Sequence, residues 1–158
     1  MAQNAILKHY GFMALVRSIV GRFSPSLNCA CRLIDRHGEP RGRMWLGEYG
    51  ERVAAAHLRK NGCSILQKNF RGRRKGEVDI IAQQGKLLLF IEVKTRHEDT
   101  PIRPYDAVTK DKQALIERGA DAWLKAIGTR KLPWRFDVIE IYVSHGEKPR
   151  VNHIRNGF

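Results

Sequence analysis

Leu46, Tyr49, Val53, His57 and Leu58 recur at the three- and four-residue spacing of one helical face, and Asn61-Gly62 closes the run with residues suited to a left-handed cap. The period then changes. Cys63 to Phe70 reads as a strand, followed by the basic loop Arg71-Gly72-Arg73-Arg74-Lys75-Gly76; Glu77 to Ala82 and Leu87 to Thr95 are two further strands around a Gln83-Gln84-Gly85-Lys86 turn. Beyond Pro101 and Pro104 a helical pattern runs from about Tyr105 to Ile127 and stops at Gly128. Phe136 to Val143 is a fourth strand and Val151 to Ile154 a candidate fifth. The order α-β-β-β-α-β, with one strand more at the end, predicts an α/β domain without internal repeats.

Residues 1–43 read differently. Phe12, Leu15, Val16, Ile19, Val20 and Phe23 share helical spacing before Ser24-Pro25, and a Gly-, Pro- and Arg-rich stretch follows to Arg43. This segment is expected to be a basic extension, poorly ordered or a short amphipathic helix, or else translated upstream sequence, because Met44 precedes the first convincing element. The domain is expected over 44–158. Arg17 breaks the apolar run, which fits neither a signal peptide nor a stable membrane insertion.

Charge narrows the partners. Lys and Arg number 29 against 16 Asp and Glu, a net +13, and such an excess draws polyanions through phosphate contacts and counterion release. Residues 1–43 hold 7 basic and 2 acidic residues, leaving 22 against 14 beyond them, so a basic tail does not account for the excess. Nucleic acid is the expected partner, with DNA and RNA both open on charge alone. Cys29, Cys31 and Cys63 make neither a disulfide framework nor a zinc site by spacing, so reduced thiols and a cytoplasmic location are expected.

The hairpin carries the candidate chemistry. Strand alternation sets Val78, Ile80 and Ala82 against Glu77, Asp79 and Ile81, and Leu87, Leu89, Ile91 and Val93 against Leu88, Phe90, Glu92 and Lys94. An even turn pairs Asp79 with Phe90 and Glu77 with Glu92, which brings Asp79, Glu92 and Lys94 onto one face; an odd turn separates them. Two carboxylates held close raise each other's pKa unless compensated, and hard oxygen donors suit Mg²⁺ or Mn²⁺. Lys94 is placed to orient a water or offset charge on a phosphate. The competing interpretation is a solvated Glu92–Lys94 ion pair at a strand end.

As a set, Leu-Gly-x-x-Gly-Glu at 46–51, Gly-Glu-Val-Asp-Ile-Ile at 76–81, Phe-Ile-Glu-Val-Lys-Thr-Arg at 90–96, Arg-Phe-Asp-Val at 135–138 and the closing Asn-Gly-Phe resemble the small bacterial YraN-type proteins. That uncharacterised family is assigned to the PD-(D/E)XK, or restriction-endonuclease-like, nuclease superfamily and is similar to archaeal Holliday-junction resolvases. The resemblance covers about Leu46 to Phe158 and departs from the superfamily name at Val78, where a Pro would precede the Asp.

The resemblance implies a central mixed sheet flanked by helices, with Asp79 and Glu92 binding metal, the Val93 carbonyl adding a ligand and Lys94 assisting the attacking water. Glu51 matches an acidic residue that resolvase-like members add to the metal site, and Lys112 a helix-borne position near it. Lys112 also falls on the same helical stripe as Val108, Leu115, Gly119 and Ala122, where a lysine needs an anion or must snorkel. Arg71, Arg73, Arg74, Lys75 and Arg96 flank the site in loops suited to phosphate contacts rather than base readout.

The function expected is Mg²⁺-dependent hydrolysis of DNA phosphodiesters, directed by branched structure in repair or recombination. Resolvase-like relatives imply a homodimer. The alternatives are an adaptor that binds nucleic acid on this fold without turnover, and a basic RNA- or ribosome-associated protein, which leaves the two acids unexplained.

Overall fold

The computed structural model describes residues 27–72, 75–101, 104–128 and 131–158. Among these, helix α1 spans Arg43–Lys60, strands β1, β2 and β3 span Ser64–Arg71, Glu77–Gln84 and Leu87–His97, helix α2 spans Lys110–Ala126, and β4 and β5 span Trp134–Val143 and Arg150–Ile154. The five strands lie in sequence order in one mixed sheet. All neighbours are antiparallel except β3 and β4, whose parallel pairing requires a crossover, and α2 supplies it. The described residues therefore form an α/β domain with one five-stranded mixed sheet and two α-helices. The helical pattern sought at 12–23 lies outside the described residues.

Each helix covers one apolar layer of the sheet. Tyr49, Val53, Ala54 and Leu58 of α1 pack with Ile80, Leu89, Ile91, Ile139 and Ile141, while Ile116, Ala120, Trp123 and Leu124 of α2 pack with Ile81, Leu88, Phe90 and Val138. The separation follows from alternation: adjacent strand residues must enter opposite layers. Helix α2 begins later than its pattern implies. Pro104–Ala107 forms a separate 3₁₀ turn, and Thr109 caps α2 by accepting from the Lys112 amide at 3.3 Å.

The hairpin turn is Gly85-Lys86, two residues rather than four, with Gly85 at φ +60°. The pairs are Gln84 with Leu87, Ile81 with Phe90 and Ile80 with Ile91, a register two residues away from the expected one. Asp79 is thus level with Glu92 instead of Phe90. Both turns are even, so facing is preserved and the carboxylates stay on one side.

Val78 breaks the expected alternation: it joins the α2-side layer, whereas Ile80 and Ala82 lie on the α1 side. Its partner strand is irregular at the same level, with Asn69 at φ +50° between the pairs Lys68–Ile80 and Phe70–Val78. The start of β2 also runs unusually close to α2. A Cβ on Gly119 would fall 2.9 Å from the Glu77 amide nitrogen and from a Val78 methyl. Gly119→Ala is therefore expected to destabilise the fold by about 2–3 kcal/mol through overpacking against backbone. A chemical-denaturation midpoint indistinguishable from wild type would contradict this close approach.

Residues 27–42, expected to lie outside the domain, are joined to it. Cys31 is fully buried in the α1-side layer; its amide donates to Glu147 at 2.6 Å and its carbonyl accepts from Gly146 at 2.8 Å. The Arg41 guanidinium lies 4.4 Å from the Trp45 ring centroid, and α1 begins at Arg43, so Met44 sits inside the helix. Among the described residues no helix is long and apolar enough to cross a membrane.

Candidate active site

At the end of the hairpin remote from its turn, β2 leaves β3. Ladder pairing stops at Ile80–Ile91, and the Val93 amide donates to Asp79 Oδ2 at 2.8 Å. A side chain here takes the place of a ladder acceptor. The exchange satisfies a backbone donor and holds the Asp79 carboxylate beside β3.

Glu92 is 1% exposed, an uncommon situation for a carboxylate. Its Oε1 receives Lys94 Nζ at 2.6 Å and Lys112 Nζ at 3.3 Å. Its Oε2 is buried without a hydrogen-bond partner. Lys112 also bonds Glu77 Oε1, so α2 delivers a cation between the acids of β2 and β3. The hairpin and α2 thus bring Glu77, Asp79, Glu92, Lys94 and Lys112 together, and the anion that a lysine on this stripe requires is a pair of glutamates.

The electrostatics are unbalanced around Asp79. Burial, reinforced by the Glu92 charge, pushes its carboxyl up to about 7, against the relief given by the Val93 amide and the two lysines. Glu77 is held below the usual carboxylate range by its Lys112 hydrogen bond. Burial works against the Lys112 charge, yet Glu77, Glu92 and Asp79 together raise its pKa.

A carboxyl raised in the folded state penalises folding once ionised, so its sign is opposite to that of a salt-bridged acid. The metal-free protein should gain stability as pH falls from about 7 towards the unfolded value near 4. Thermal melts in EDTA across this range should show that slope, and Asp79→Asn should flatten it. An unchanged slope in the variant would remove Asp79 as its source.

The other residues singled out in the sequence are distributed around this group. Glu51 on α1 accepts from Asn69 at 3.0 Å and lies 3.6 Å from Lys68; Asn69 falls between pairs that place it level with Asp79. Arg71 and Lys75 are exposed at either end of the β1–β2 loop, and half-buried Arg96 donates to the Thr95 carbonyl at 2.9 Å. Arg73 and Arg74 lie outside the described residues.

Two further acids were not singled out by the sequence. Glu77 opens β2 and looks like a solvated strand end until α2 brings Lys112 to it. Glu140 is fully buried on the same side of the sheet, level with Lys94 on β3, and accepts from the Tyr105 amide at 2.9 Å and from Asn152 at 2.6 Å. A lone acid inside the apolar run Val138 to Val143 was the available signal. It fastens the chain preceding α2 to β4 and β5.

The donor set can be tested against a metal. Two hard carboxylates, one with an unpartnered buried oxygen and the other penalised for its charge, fit a divalent cation of the Mg²⁺ class. Among the described residues no three His, Cys, Asp or Glu side chains form a closed metal cluster.

Comparison with known sequences gives a consistent relationship. The model described as uncharacterised protein family UPF0102 matches residues 50–141, a span that contains Glu51, Glu77, Asp79, Glu92, Lys94, Lys112 and Glu140. A UPF0102 protein of Rhodococcus jostii is 42% identical over 113 residues, 72% of this chain and 95% of its own length. One from Geobacter sulfurreducens is 46% identical, covering 72% and 88% respectively, and one from Symbiobacterium thermophilum is 41% identical, covering 72% and 95%.

Proposed function

The chain belongs to the uncharacterised family UPF0102, the YraN-type proteins that its motifs resemble, and we propose that it is a Mg²⁺- or Mn²⁺-dependent nuclease hydrolysing DNA phosphodiester bonds. The observation that carries this reading is Glu92 Oε2, a buried and unpartnered carboxylate oxygen beside Asp79, whose ionised form is penalised. A merely structural strand end would not place two acids in this incompletely satisfied state, which costs stability.

In this proposal Asp79 and Glu92 hold the cation, with the Val93 carbonyl as a further donor; Glu51 would join them only by leaving Asn69 and Lys68. The bound ion supplies Lewis acidity and charge neutralisation for attack on the phosphate. Lys94, fixed to Glu92 and partly exposed, orients the attacking water and holds positive charge against the developing negative charge. The Val93 amide keeps Asp79 aimed, so this carboxylate needs no reorganisation on ligand binding. Lys112 contributes a second cation on the α2 side. Arg71, Lys75 and Arg96, with Arg73 and Arg74, bind backbone phosphates, which favours recognition of branched structure over base sequence. A homodimer on such branches belongs to the same proposal.

Branched, flapped, single-stranded and duplex DNA, with matched RNA, should be incubated with the purified protein in Mg²⁺, Mn²⁺ or EDTA. Cleavage of DNA in either metal and none in EDTA is expected. Tight binding without cleavage in all conditions would replace the nuclease with a binding adaptor.

A further inference from the structure

Lys112 is shared. Its ammonium bonds Glu77 Oε1 and lies 3.3 Å from Glu92 Oε1, the same oxygen that Lys94 approaches at 2.6 Å. Both lysines therefore act on one oxygen of Glu92, and the other oxygen is left for a ligand. The Glu77 side chain is 37% exposed, compared with 1% for Glu92, so it retains its charge at little desolvation cost and competes well for Lys112. Without that competition the full charge of Lys112 would fall on Glu92.

Resting on the metal-binding reading above, we infer that Glu77 is a positioning residue that sets the affinity of the Asp79–Glu92 pair for a divalent cation by drawing Lys112 off Glu92. Neutralising Glu77 would leave the Lys112 ammonium to Glu92 Oε1 alone, where its charge opposes a cation on that carboxylate. Glu77 also keeps Lys112 at the margin of the site, between the cation-binding acids and solvent, where it can meet a substrate phosphate. The start of β2 meets α2 at two points, with the Glu77 backbone close to Gly119 and the Glu77 carboxylate on Lys112, about two helical turns earlier.

The test is calorimetric titration of Mn²⁺ into the metal-free full-length chain. Glu77→Gln should weaken Mn²⁺ binding roughly tenfold, the scale of one unit charge at a few ångströms in a partly screened setting. Lys112→Met should bind Mn²⁺ at least as tightly as wild type. In the Lys112→Met background, Glu77→Gln should cost less than about threefold, because the residue acts through Lys112. Melting temperatures of the variants report that each is folded.

Equal losses in both backgrounds would mean that Glu77 acts on the cation itself and would overturn the inference. Unchanged Mn²⁺ affinity in Glu77→Gln would also overturn it while leaving the nuclease reading intact. Failure of the wild-type chain to bind Mn²⁺ would overturn both.

Discussion

Asp79→Ala is expected to lower metal-dependent DNA cleavage by about 10³-fold or more, the several kcal/mol that a correctly held cation supplies to phosphoryl chemistry. Its effect on the fold should be small. The substitution forfeits the hydrogen bond from the Val93 amide, about 1 kcal/mol, but also removes a carboxylate that burial and Glu92 penalise. The metal-free melting temperature should therefore stay near that of wild type, and DNA binding should persist through the basic loops. Asp79→Asn retains an acceptor for Val93 and separates loss of charge from loss of the backbone contact. Cleavage at the wild-type rate by Asp79→Ala would sink the assignment, whereas lost cleavage with lost folding would be resolved by the Asn variant. Lys94→Ala should reduce cleavage by about 10²-fold, since it removes one preorganised cation and not the metal site.

Asp137→Ala should be the most damaging substitution for stability, at about 3–5 kcal/mol. Asp137 is fully buried and accepts from Arg135 at 2.8 and 3.1 Å, from His153 at 2.8 Å and from the Asn156 amide at 3.1 Å. Truncation leaves the guanidinium and a backbone donor without their acceptor in a poorly solvated place. Burial opposes ionisation of Asp137, but the His153, Arg135 and Asn156 hydrogen bonds outweigh it and hold its pKa below the usual range. A depressed acid contributes stability above its unfolded pKa near 4 and loses it as pH falls further. Chemical denaturation of wild type and variant should converge in acid and diverge above it. Asp137 shares strand parity with Ile139 and Ile141 on the α1 side, so cleavage by the folded variant at low temperature should remain close to wild type. Selective loss of cleavage with unchanged stability would contradict a structural role.

Together the two substitutions distinguish the sides of the sheet. The α1 side satisfies its buried acid completely, with four donors on Asp137. The α2 side leaves one oxygen of Glu92 bare and Asp79 penalised. Complete satisfaction, as at Asp137 and at Glu140, stabilises, whereas the incomplete satisfaction of Glu92 and Asp79 is what the proposed cation would relieve.

Much of this was legible along the chain. The helical stripe from Leu46 to Leu58, the alternation in Leu87 to Lys94 and the even turn at Gly85 are local patterns, and local patterns determine which way neighbouring side chains point. Their parity put Asp79, Glu92 and Lys94 on one face even though the turn length and hence the pairing register differed. The break at Val78 was not legible, because it depends on a left-handed Asn69 in another strand and on two glycines where β2 meets α2.

The sequence by itself determined the α/β class and the approximate strands and helices, and it made the common facing of the two central acids and Lys94 conditional on an even turn, since period and turn chemistry act over a few residues. Tertiary structure alone decided that Cys31 enters the core, that Glu140 anchors the chain before α2, and that Lys112 lies between Glu77 and Glu92. These pairings span long stretches of chain, 35 residues for both Glu77–Lys112 and Tyr105–Glu140. It also decided the burial that raises Asp79, because desolvation is a property of everything packed around a carboxylate, and no local pattern encodes it.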